Sequence, residues 1–196
     1  MNMKKTVLIE TPRLILRTPK INDAKPLNQS INNSLPELQR WQPWANDPSL
    51  ATTTKFINDS VSEYGSADQK NFPLIVIHKA DNKIIAASGY NERSDATVPF
   101  YEIGYWLEAA YTGQGLATEI TNALTRYAFL ELKAVRVQIR VQTENIKSIN
   151  VAKRCGYQQE AILKKVRLDC LTKQPVDDCI LVRFDLDGML ECEVAW

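Results

Sequence analysis

The sequence predicts a mixed α/β fold: a mostly antiparallel sheet with flanking helices. Two observations predict it. Apolar runs over Phe72–Lys79 and Ile84–Glu92 are joined by the short turn Ala80-Asp81-Asn82-Lys83, the signature of a hairpin. Further on, period-two runs alternate with helix-period runs, so hairpin strands come first and strands interleaved with helices follow. With 196 residues and 44% hydrophobic content, the chain can bury one core, and no linker-like stretch divides it. A single domain over 1–196 is expected.

The elements follow in order. Residues from about Val7 to Thr18 read as one strand, with Leu14 and Leu16 on one face, ended by Pro19. Asp23 caps a helix to about Asn33, with Pro26 in the first turn, where its missing amide does no harm. Residues 35–48, containing Trp41-Gln42-Pro43-Trp44, read as a loop. Ser49 caps a second helix to about Tyr64. After the hairpin, Phe100–Leu107 is a strand. Leu116, Ile120, Ala123, Leu124 and Tyr127 then mark an amphipathic helix of about four turns. Val135, Val137, Ile139 and Val141 alternate over a strand, and 148–154 is a short helix ended by Gly156. Strands over 158–168 and 176–186 surround a polar turn. The tail 187–196 alternates Leu190, Cys192, Val194 and Trp196, as an edge strand or a homodimer contact would.

Composition excludes several classes of function. Net charge is +1 and the basic residues are dispersed, which argues against nucleic acid as a direct partner. No apolar run approaches the ~18 residues of a membrane span, and no signal-peptide pattern opens the chain, so a cytoplasmic protein without a membrane partner is expected. The 4 cysteines show no CxxC spacing and His78 is the only histidine. Reduced thiols and no metal follow, and a His-dependent triad is excluded.

The most informative segment is Tyr111-Thr112-Gly113-Gln114-Gly115-Leu116-Ala117-Thr118. It lies between a strand and a helix. Its glycines let backbone amides approach an anion at a helix N-terminus, so a diphosphate suits it. Before it stands Phe100-Tyr101-Glu102-Ile103-Gly104-Tyr105-Trp106-Leu107; about thirty residues after it come Asn145-Ile146-Lys147-Ser148 and Val151 to Tyr157. On these segments, together with Glu10 to Arg17, the chain resembles the GNAT superfamily of N-acetyltransferases, and within it the RimJ/RimL type that acetylates ribosomal-protein N-termini.

That resemblance implies a sheet with two splayed central parallel strands and acetyl-CoA as cosubstrate, entering the gap between them. It places the cofactor on Trp106, Leu107, Thr112, Gly113, Gln114, Gly115, Leu116, Ala117, Thr118 and Asn145. Glu102 is implied as the base that deprotonates the amine, directly or through water, and Ser148 as the group assisting thiol departure, since the position where many members carry a tyrosine is here Ala152. The leading basic or amide residue of the family loop is here Thr112, which weakens but does not abolish phosphate binding. Read from the residues alone, Glu102 could equally pair with a neighbouring cation, and Ser148 or Asn145 could cap a helix. Trp41, Trp44 and Tyr90 are candidates for the acceptor cleft, because aromatic rings make rigid apolar walls. The expected acceptor is a protein N-terminal α-amine. A small amine such as a polyamine or aminoglycoside is the alternative, and a non-catalytic acyl-CoA-binding module is the rival outside the enzyme class.

Overall fold

A computed structural model describes residues 6–66, 69–95 and 97–196; the expectation for the first five residues falls outside that range. The first surprise is at the start, where one long strand was expected. Thr11 folds the chain back: its amide donates to the Leu14 carbonyl at 3.0 Å, and its hydroxyl accepts from the Leu14 amide at 3.0 Å. Two short strands result, β1 (Leu8–Glu10) and β2 (Leu14–Arg17), paired antiparallel with Leu8 opposite Arg17.

Helix α1 (Ala24–Asn32) follows a single 3-10 turn. The expected loop over 35–48 is instead helix α2 (Leu35–Trp41) and a 3-10 turn, Pro43–Asn46. Both prolines sit in the first turn of their helix, where a missing amide costs nothing. Buried Leu38 and Ala45 supply the anchoring that the polar composition hides. Helix α3 (Leu50–Glu63) is capped as expected, with Ser49 accepting from the Thr52 amide at 3.2 Å.

The hairpin β3 (Phe72–His78) and β4 (Lys83–Tyr90) precedes β5 (Phe100–Leu107), helix α4 (Leu116–Leu130), β6 (Arg136–Gln142), helix α5 (Ile146–Arg154), β7 (Gln158–Leu168) and β8 (Pro175–Arg183). All strands join one sheet in the order β1-β2-β3-β4-β5-β6-β8-β7. Only β5 and β6 run parallel, and they pair over three rungs, Phe100 with Arg136, Tyr101 with Val137 and Glu102 with Gln138. Beyond Glu102 the two part: Ile103–Leu107 remains bonded to β4, and Ile139–Gln142 remains bonded to β8. A gap opens between them.

The sheet has a core on each face. Helices α4 and α5 cover one, with Ile103, Ile120, Leu124 and Ile139 buried together; α1, α2 and α3 cover β3 and β4 on the other, around Leu27, Ile57 and Ile75. The tail turns back onto β1, where Ala195 and Glu10 exchange backbone bonds of 2.8 and 2.9 Å. Trp196 then packs edge-on against Tyr127 at 5.7 Å. The end of the tail thus meets β1, while Leu190 stays exposed.

Burial pushes the phenols of Tyr64, Tyr90 and Tyr157 upward, and that of Tyr105 up to about 12. The unfolded chain ionises these groups near ~10 while the fold keeps them protonated, so above that pH the unfolded state binds fewer protons and stability falls. Denaturant midpoints should therefore be flat from pH 7 to 9 and drop steeply from pH 10 to 12. Substituting Tyr157→Phe should make that drop shallower.

Candidate active site

Glycines build the mouth of the gap. After a 3-10 turn at Ala109–Tyr111, Gly113 and Gly115 take left-handed φ values of 79° and 80°. Gly115 stands at the N-cap of α4, so no side chain caps the amides of the first turn. They remain available to an anion at the positive end of a four-turn helix. Leu116 is buried and anchors the turn to the core, so it can serve a ligand only through its backbone. Thr112 spends its hydroxyl on the carbonyl of Ala109 at 2.8 Å, and Gln114 donates to Ala110.

Two charged groups near the loop escaped the sequence reading. Arg13 donates to the Gln114 carbonyl at 2.9 Å and forms an ion pair with Glu119, which also accepts from the Thr11 hydroxyl. The β1–β2 turn therefore braces the loop. Arg154, at the end of α5, reaches Thr118 with Nε 3.3 Å from Oγ1. It brings a guanidinium to the loop from another element, where Thr112 offers no charge. Sequence spacing gives no sign of either contact, although a basic residue in the last turn of a helix facing the loop could have been suspected.

Ser148 and Asn145 lie where α5 begins. Asn145 caps the helix, its Oδ1 accepting from the Ser148 amide at 3.2 Å. The Ser148 hydroxyl is therefore not the cap. It lies 2.8 Å from the hydroxyl of Tyr105, on the stretch of β5 that stays bonded to β4 but has parted from β6.

Glu102 is placed differently from the expectation. It is fully buried at the last paired rung, where Asn91 Nδ2 and Arg93 Nε each donate to Oε1 at 2.6 Å and the Gln138 amide donates to Oε2. Both oxygens are engaged, and a closed ion-pair cluster gives an incoming amine no open approach. Tyr90 is a correction as well: strand alternation turns it into the α4 core, where its hydroxyl donates to the Leu124 carbonyl at 2.7 Å and its ring packs on Tyr101. It lines no cleft.

The aromatic residues before α3 fare better. Trp44 is 43% exposed and its ring lies 6.0 Å from that of Trp106, whose side chain faces α1–α3. The Trp106 indole is thus on the same side as the loop tryptophan, and its backbone lies on the opened strand. Leu107 packs toward α4. The Trp41 ring, under the Arg40 guanidinium at 4.8 Å, is half-buried. On this side lies a cavity of about 190 Å³ lined by Arg40, Glu144, Asp169, Leu171, Thr172 and Val176.

A parallel pair of strands that opens after three rungs, with an uncapped glycine-led helix at the mouth and a hydroxyl pair across the gap, defines a coenzyme A-dependent acyltransferase. Residues 13–158 match the acetyltransferase (GNAT) domain, and the chain belongs to that family. It is an acetyl-CoA-dependent N-acetyltransferase. The uncharacterized N-acetyltransferase p20 of Bacillus licheniformis is 31% identical, over 79% of this chain and 84% of its own. The ribosomal-protein-serine acetyltransferase of Escherichia coli is 26% identical, over 74% and 78%. Among solved structures, RimL, a ribosomal L7/L12 α-N-protein acetyltransferase in complex with coenzyme A, superimposes with a TM-score of 0.81 at 21% identity, covering 92% of this chain and 99% of that one.

Two predictions follow from the geometry. Arg154→Ala should raise the KM for acetyl-CoA about five- to tenfold, the ~1 kcal/mol of an exposed charge-assisted contact, with kcat nearly unchanged and the difference fading at high salt. Glu102→Gln should lower stability by about 2 kcal/mol, less than a fully buried pair because Arg93 is 46% exposed. The shape of the rate profile against pH should be that of the parent enzyme; a changed acidic limb would restore Glu102 as a base.

Proposed function

We propose that the protein transfers acetyl from acetyl-CoA directly to the α-amine of a protein N-terminus, in a ternary complex without an acyl-enzyme. The observation that carries this is the closed cluster around Glu102, the only carboxylate on β5. An enzyme with no free carboxylate on that strand works best on an amine that is already neutral. An α-amine, with a reference pKa of ~7.7–8.0, is about one-third neutral at pH 7.5, whereas a lysine at ~10.4 is neutral in about one part per thousand. The ribosomal-protein-serine acetyltransferase among the relatives is consistent with the same acceptor.

The remaining roles follow from position. The amides from Gly113 to Thr118, with Arg154, hold the nucleotide end of the cosubstrate; the gap-facing backbone of Leu107, with Trp106 beside it on the opened edge of β5, and the amide of Asn145 flank its pantetheine arm. Ser148 donates to the departing sulfur. Trp41 and Trp44 wall the acceptor side. An acyl-enzyme has no support: burial pushes the Cys155 thiol up to about 12 and raises that of Cys179, the opposite of nucleophile activation.

A polyamine or aminoglycoside is a weaker fit. Such polycations need several free carboxylates, and the cavity beside α2 is lined by Glu144 together with the cation of Arg40. Its other acid, Asp169, is held by the amides of Leu171 and Thr172 and by the Thr172 hydroxyl, which keep its carboxyl below the usual range.

The deciding assay measures thiol release from acetyl-CoA with N-terminal peptides of ribosomal proteins, the same peptides blocked at the α-amine but carrying lysine, spermidine and an aminoglycoside. Turnover is expected with the free N-termini alone, kcat/KM rising with pH through ~8 and levelling near ~9, where an α-amine is mostly neutral. Turnover confined to the small amines would overturn the reading, as would coenzyme binding without turnover on any amine.

A further inference from the structure

The Ser148 hydroxyl is a single-bond rotor, and on its own it has no reason to aim its proton at a sulfur in the gap. Among the described residues its oxygen has one side-chain neighbour, the Tyr105 hydroxyl at 2.8 Å; the single Tyr105 proton also reaches the Ser148 carbonyl, as a longer bond of 3.3 Å, so the serine oxygen is the nearer of its two acceptors. Tyr105 comes from the wall opposite. It stands on β5 beyond Glu102, bonded to β4 opposite Ser88 and to nothing on β6, whereas Ser148 is on the helix that follows β6. The pair is a bridge between the two walls of the opened gap.

We propose that Tyr105 is the positioning residue for Ser148, donating its hydroxyl proton to Ser148 Oγ so that the serine proton points into the gap, at the sulfur of the departing coenzyme. This rests on the role given to Ser148 above and adds to it the group that makes the role directional. A phenol is suited to this duty because it has one proton to give. Burial among α4- and α5-side residues holds it protonated through the whole working range, so the donor direction does not reverse with pH. With no thiolate present the serine can turn and donate to the tyrosine oxygen. When negative charge develops on sulfur, that charge is the stronger acceptor, and the chain of two hydroxyls aligns toward it. No proton leaves Tyr105, and no covalent step is assigned to it.

The experiment is a double-mutant cycle on the full chain with Tyr105→Phe, Ser148→Ala and both together, reading kcat and the KM for acetyl-CoA at saturating acceptor, with thermal midpoints as a folding control. Tyr105→Phe should lower kcat about tenfold, the effect of one hydrogen bond made in the transition state, and leave KM within about twofold. Ser148→Ala should cost at least as much. The double variant should be no slower than Ser148→Ala alone, because the tyrosine has nothing left to orient. Losses that multiply in the double variant, or a Tyr105→Phe effect on KM and melting temperature only, would make Tyr105 a packing residue and overturn the proposal. A silent Ser148→Ala would instead remove the serine role beneath it, and that outcome is recognisable because thiol release would then be normal in the serine variant itself.

Discussion

The structure depends on where two parallel strands stop pairing. At the rung of Glu102 and Gln138, a buried carboxylate on β5 takes the side-chain amide of β6 and closes on Asn91 and Arg93 from the turn after β4. This ties β4, β5 and β6 together at one level. One rung later the strands are apart. Backbone groups in a sheet interior that lack a ladder partner are costly to bury dry. Parted strands therefore favour an occupant rich in amides, and a pantetheine arm supplies them. The gap itself ends at the clamped rung, with Tyr105 and Ser148 just beyond it.

The same logic explains why the loop at the mouth is tied from outside. Loops with two left-handed glycines have many conformations, and ordering them on binding would cost affinity. Here the turn between β1 and β2 supplies Arg13, which bonds the loop carbonyl of Gln114 and, through Glu119, the first turn of α4. Thr11 adds a second hold on the same carboxylate. The earliest residues of the domain thereby support a site that lies a hundred positions further along the chain. Much of the ordering is complete before any ligand arrives.

Local signals carried far in the sequence; long-range ones did not. The strand Phe100–Leu107 and the Ser49 cap are found as expected, since period and capping chemistry are written in adjacent residues. The glycine loop was legible for the same reason. Glu102 was legible as a residue but not as an environment, because the partners that engage it come from a separate turn and from 36 positions downstream. Tyr90 looked available for the same reason: nothing local says that its hydroxyl meets a carbonyl on α4. In 35–48, proline and tryptophan suggested a loop, yet proline in a first turn is compatible with a helix, and buried Leu38 decides the matter. The first strand broke in two because one threonine hydroxyl substitutes for the ladder bonds of a turn.

The position where the family resemblance implies a tyrosine is occupied here by Ala152, which is completely buried. Removing a phenol from α5 need not remove hydroxyl chemistry from the site, because the facing strand can supply one. Tyr105 enters from β5 at the level where Ser148 leaves α5, and the two meet at hydrogen-bond distance. A serine alone could accept this task only weakly, since a free rotor spends most of its time pointing elsewhere. A buried tyrosine behind it restores direction without needing its own proton to move. Under the proposed roles, the small residue at 152 and the large one at 105 are two halves of one solution: the alanine lets α5 pack against α4, and the hydroxyl pair would keep a donor facing the departing sulfur.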